Sequence, residues 1–101
     1  MLNPISRLQR WYVSHCDGDW EHSWGIKIDT LDNPGWSIKI NLEETERADK
    51  PCKAVAEEIS DDDWIFMHKE KEELHVACGP NGLERAIAMA CDWLEGKLDD
   101  A

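Results

Sequence analysis

The chain has 101 residues, 22 of them acidic and 11 basic, for a formal net charge of −11. That length suits one domain over residues 1–101 with a single core, and six tryptophans within a 42% apolar composition argue against disorder despite the charge. So acidic a surface repels nucleic-acid phosphates and anionic membranes and favours a basic protein partner, although solubility alone is a sufficient reason for it.

Asn3-Pro4 opens the first element, with Asn as N-cap and Pro at the first helical position. Ile5, Leu8, Trp11, Tyr12 and His15 follow at helical spacing, which predicts an amphipathic helix over about residues 4–16. Arg7 and Arg10 inside that stretch speak against a signal peptide, so a cytoplasmic protein is expected. Gly18 lies just past the helix end, where a positive φ is often needed.

A dense acidic loop comes next, HCDGDWEHSW, and leads into two alternating segments. Trp24, Ile26 and Ile28 share one side of the first, and Trp36, Ile38, Ile40 and Leu42 one side of the second. Such alternation predicts two half-buried strands, joined by a turn with Pro34-Gly35 at its centre in type II geometry. Residues 43–51 are charged and read as a solvated loop. Residues 52–59 are ambiguous: alanine and glutamate favour helix, whereas position between strands favours strand, the reading adopted here. The acidic turn Ser60–Asp63 leads to residues 64–70, apolar on both sides at first, which suits an interior strand covered on both faces. Residues 74–78 return antiparallel after a turn at Lys71–Glu73. Beyond Gly79–Gly82, Asn81 and Glu84 resemble a capping box. Leu83, Ala86, Ile87, Ala90, Cys91, Leu94 and Leu98 then form a helical stripe that Gly96 ends, with a solvated DDA tail. The expectation is an α+β fold: a mostly antiparallel sheet of four to five strands with the N- and C-terminal helices on one face.

Little in the chain assembles a reaction centre. Cys16, Cys52, Cys78 and Cys91 form no CxxC pair and fall in different elements, so zinc is not expected and reduced thiols are. His15, Cys16, Asp17, Asp19, Glu21 and His22 offer ligand types, but not at calcium-loop or helical-zinc spacing. No glycine-rich elbow or phosphate cradle surrounds a nucleophile. No catalytic residue, metal or cofactor is therefore assigned, and Glu21 is expected to brace loop backbone donors instead. Trp11, Trp24, Trp36, Trp64 and Trp93 fall on apolar stripes and read as core. Trp20, flanked by acids, is open to two readings: an exposed interface anchor, or packing over the sheet edge.

The run CDGDWEHSWGIKIDTLDNPGWSIKI resembles the core of the immunity protein 53 family, small bacterial proteins encoded beside polymorphic toxins. Further similarity lies at Leu42–Thr45, at Asp63-Trp64-Ile65, at Gly79–Leu83 and in the helix ending near Trp93, so it covers nearly the whole chain. Ala90 departs from it, standing where the family pattern has a larger aromatic. The resemblance implies an antidote that binds and neutralises a cognate toxin domain, with neither nucleic acid nor membrane as partner. Net charge adds a reason to expect a basic nuclease as that toxin, since nucleases grip phosphates with lysine and arginine. The expected partner-binding residues are Asp17, Asp19, Trp20 and Glu21 in the acidic loop and Asp61, Asp62 and Asp63 in the turn, both taken to reach the same end of the sheet. Two alternatives stand beside this reading: a small metal-assisted hydrolase using the HCDGDWEH loop, and an acidic adaptor with no toxin.

Overall fold

The computed structural model describes residues 3–98; the expected solvated DDA tail lies outside them. Helix α1 spans Pro4–His15, and its N-cap works as the sequence suggests: Asn3 Oδ1 accepts from the Ser6 N–H at 2.8 Å. A four-residue helix α2, Trp20–Ser23, follows within the acidic loop and was not foreseen. It delays the first strand, since Trp24 caps α2 and β1 begins only at Ile26. The strands are β1 Ile26–Leu31, β2 Gly35–Asn41, β3 Val55–Ser60, β4 Asp63–Glu70 and β5 Glu73–Cys78, and helix α3 spans Leu83–Leu94.

The strands form one five-stranded antiparallel sheet in the order β1-β2-β5-β4-β3. Residues 52–59 thus resolve as strand in their second half, at one edge of the sheet. Both helices pack on a single face. Leu8 and Trp11 of α1 and Ala86, Ile87, Ala90 and Cys91 of α3 share a core with Ile38, Ile40, Ile65, Met67, Leu74, Val76 and Cys78. Arg7 ties the helices together through Asp92 at 2.6 Å and Glu95 at 3.0 Å.

Several local expectations give way to packing. Gly35 is not the centre of a turn: it pairs with Leu31 inside the sheet, and the turn is Asp32-Asn33-Pro34. Its need for glycine is close approach, because a Cβ there would collide with the Cys78 carbonyl and stand 3.2 Å from Trp64 Cζ2. Asn81 caps nothing; Gly82 is the N-cap of α3, and no side chain bonds to it. The helix ends before Gly96 (φ 78°), which leaves Leu98 exposed beyond it. Ile28 is also exposed, because β1 is an edge strand.

Nor is the 43–51 segment simply solvated. Arg47 is buried with its guanidinium 4.3 Å from the Trp93 ring centroid, a cation–π contact. Carbonyls of the segment accept from three anchors: Trp20 Nε1 to Glu43 at 2.8 Å, Trp93 Nε1 to Pro51 at 3.2 Å, and Lys69 Nζ to Lys50 at 2.7 Å. A stretch that reads as polar therefore lids the core, because indole and ammonium donors satisfy its backbone.

Candidate functional site

The acidic loop is a self-bracing structure. Asp17 Oδ1 accepts from the backbone N–H groups of Asp19 and Trp20, each at 3.0 Å. Glu21 reaches back to accept from Asp17 at 3.0 Å and from Gly18 at 2.9 Å, while Gly18 takes the positive φ (96°) that closes the turn. These donors favour the charged carboxylates. Asp17 is held below its ordinary 3.8, through Trp20 first and then Asp19. Glu21 is held below 4.5, through its own N–H and then those of Asp17 and Gly18. Both residues hold the loop in shape; Asp17 is exposed all the same, as is Asp19, whose side chain accepts none of these bonds.

Trp20 takes the second of its two readings. It is 2% exposed and packs edge-on against Trp11, with ring centroids 5.9 Å apart. Tyr12 and His15 complete its surroundings. A residue so enclosed, with its indole N–H bonded to Glu43, presents no surface to a partner.

The second acidic group, Asp61 to Asp63, sits in and after the β3–β4 turn and is exposed throughout. Register separates it from the loop. Asp63 lies at the strand ends that hold Trp36 and Cys78, whereas Trp20 bonds near Leu42, at the ends that hold Glu70 and Glu73. The two acidic groups therefore lie at opposite ends of the sheet and not, as expected, at one.

Strand parity brings out what the sequence reading missed. Strand β4 is interior but covered on one face only: Ile65 and Met67 enter the core, while Trp64, Phe66 and His68 point the other way. Phe66 is 39% exposed and lies 5.3 Å from Trp64, centroid to centroid. Trp64 is half-buried, yet outside the core it was expected to join. Its indole lies across two glycines, since a Cβ on Gly35 or Gly79 would stand 3.2 or 3.4 Å from it. Alongside, His68 stacks on His75 at 5.0 Å and 11°. From Trp64 to Met67 the strand is apolar on both sides, so the sequence held no alternation that could separate the covered face from the open one.

No donor group supports the metal-assisted alternative. Among the described residues no cluster of three or more His, Cys, Asp or Glu side chains is placed to hold a metal ion. In the HCDGDWEH loop itself, Asp17 and Glu21 already serve backbone donors and His15 bonds Glu46 at 2.9 Å. The four cysteines are separate free thiols, and burial raises those of Cys52, Cys78 and Cys91, the last to about 11. Such thiols are poor nucleophiles near neutrality.

Compared with known families, residues 5–95 match the model of immunity protein 53. The chain belongs to the immunity protein 53 family. No curated protein and no solved structure matches it. As an immunity protein it belongs to a class whose members act on a cognate toxin. Ala90 is fully buried among the core residues of α3. No helix among the described residues is long and apolar enough to cross a membrane.

Proposed function

We propose that this chain is the antidote to one cognate toxin domain, acting as a single immunity domain that binds the toxin one-to-one and blocks it without chemistry of its own. The family match over residues 5–95 carries this reading. Charge supports a finer version, in which the toxin presents a basic surface of the kind a nuclease uses on phosphates. With a net charge of −11, the protein has a long-range field that speeds encounter with a cation and is screened by salt. Asp17, Asp19 and Glu21 at one end of the sheet and Asp61, Asp62 and Asp63 at the other all contribute to that field.

The test is association and dissociation kinetics with the toxin domain encoded beside this chain's gene, across a salt series. Tight one-to-one binding is expected, with association slowing steeply as salt rises and dissociation changing little. Changing Asp61, Asp62 and Asp63 together to Asn should slow association at low salt. Absence of binding by the unaltered protein would remove the antidote reading for that toxin, and salt-independent association would remove the basic partner.

A further inference from the structure

The helix-free face of the sheet bears an aromatic patch beside unpaired carboxylates, and the two occur together on the β3–β4 hairpin. From Val55 to Asp63 the chain carries Glu57, Glu58, Asp61, Asp62 and Asp63 and no lysine or arginine. Arg85 engages Glu57 and comes within 4.0 Å of Asp63. Among the described residues, Glu58, Asp61 and Asp62 make no ion pair, and Trp64 Nε1 donates to no protein acceptor. Glu58 stands directly opposite Trp64 in the β3–β4 register, on the same open face as the two rings. A bulge between Glu58 and Ser60 leaves Ile59 unpaired, and that isoleucine is 70% exposed.

We infer that Trp64 and Phe66, rimmed by Glu58, Asp61 and Asp62, are the contact surface for the toxin, and that its occupant is an arginine-bearing segment of the toxin's basic surface. This rests on the antidote reading and names where that contact is made. Arginine suits both halves of the patch. Its planar guanidinium stacks on aromatic faces, and its fork of donors bonds carboxylates two at a time. A lysine satisfies the charge but not the flat ring surface, and a purely apolar partner strands the rim carboxylates without counter-charge. The two-glycine floor beneath Trp64 holds the indole in place before the partner arrives, which lowers the ordering cost of contact. Another exposed apolar feature, a groove of about 430 Å³ between α1 and β1, is lined by Ile5, Tyr12, Ile26 and Ile28 among others and has no carboxylate in its wall. It has nothing to offer a basic partner.

The experiment uses the full chain and the purified toxin domain encoded beside its gene. Phe66→Ala should weaken binding about 30-fold, as loss of a central aromatic contact does. The triple change Glu58→Gln, Asp61→Asn, Asp62→Asn should slow association about 10-fold at low salt and much less at high salt. Val13→Ala and Ile28→Ala, on the far side of the molecule, should bind like the parent. Near-UV circular dichroism confirms that each variant is folded, and Trp64→Phe, which keeps a ring on the glycine floor, should retain more affinity than Phe66→Ala. If the unaltered protein does not bind, the antidote reading falls for that toxin and the surface falls with it. If it binds and the Phe66 and triple variants match it, this surface alone is overturned. Loss with Phe66→Ala but unchanged association in the triple variant would overturn the arginine-bearing occupant.

Discussion

Replacing Trp20 tests the division between what holds this fold and what meets a partner. Trp20→Phe keeps a ring in the same enclosure but removes the indole N–H that serves the Glu43 carbonyl at 2.8 Å. Leaving a partly buried acceptor unpaired costs about 1–3 kcal/mol, and the smaller ring adds a void beside Trp11 and Tyr12 worth about 1 kcal/mol. A loss of about 2–4 kcal/mol follows, a large share of the roughly 5–15 kcal/mol that holds a domain together. Trp20→Ala should cost more, about 3–5 kcal/mol for the cavity alone. In a thermal melt the Phe variant should lose roughly 10 °C or more in Tm. Its affinity for the toxin domain, measured well below the transition, should stay within about twofold of the parent. A Phe or Ala variant that melts with the parent yet binds weakly would show that Trp20 is a surface anchor after all, and would refute its enclosure under the 43–51 segment.

Three further outcomes follow from the same packing. Gly79→Ala should destabilise by about 2 kcal/mol or more in urea titration, because the new Cβ collides with the Asp62 carbonyl; a parental midpoint would mean the turn shifts freely. Lys71→Asn should stabilise by up to about 1 kcal/mol, since Lys71 sits at φ 55° in the two-residue β4–β5 turn, and an unchanged or lower midpoint would contradict this. Asp17 and Glu21 have folded-state pKa values below 3.8 and 4.5, so their contribution is present above those values and lost as pH falls through the folded ones. Stability followed between about pH 5 and pH 3 should therefore fall less steeply in Glu21→Gln than in the parent, and parallel profiles would deny Glu21 its bracing role.

Much of the fold could be read where one residue makes one local demand. Asn3-Pro4 starts a helix by its own chemistry, and the alternation of Trp36, Ile38 and Ile40 admits one burial pattern. The misreadings arise where a residue's role is set by distant neighbours. Gly35 looks like a turn glycine, but its constraint is the Cys78 backbone and the Trp64 ring, far off in sequence. Arg47 sits in a charged segment read as solvated, yet it stacks on Trp93, and Lys69 of the neighbouring strand serves carbonyls of that same segment. Neither contact leaves a periodic trace. In the acidic loop the types of ligand were visible, and Glu21 was assigned correctly as a brace, but the helix α2 that buries Trp20 is too short to show as a pattern.

The surface chemistry was harder to read for a reason that bears on function. Acidic residues were the obvious sign of a partner, and they occur at both ends of the sheet, so charge alone selects no site. An apolar run such as Trp64 to Phe66 was assigned to the core because burial is the usual fate of such residues. Only the sheet order separates the two meanings: β4 is interior and pairs on both sides from Ile65 to Met67, while one of its faces has no helix to cover it. An interior strand is among the most rigid supports a fold can offer, and exposed aromatics on it cannot retreat into a core already filled by Ile65 and Met67. Exposing them costs stability unless something binds there. Where that exposure coincides with carboxylates that have no internal counter-charge, the pairing of apolar and anionic surface is what a basic protein partner would satisfy and water alone does not.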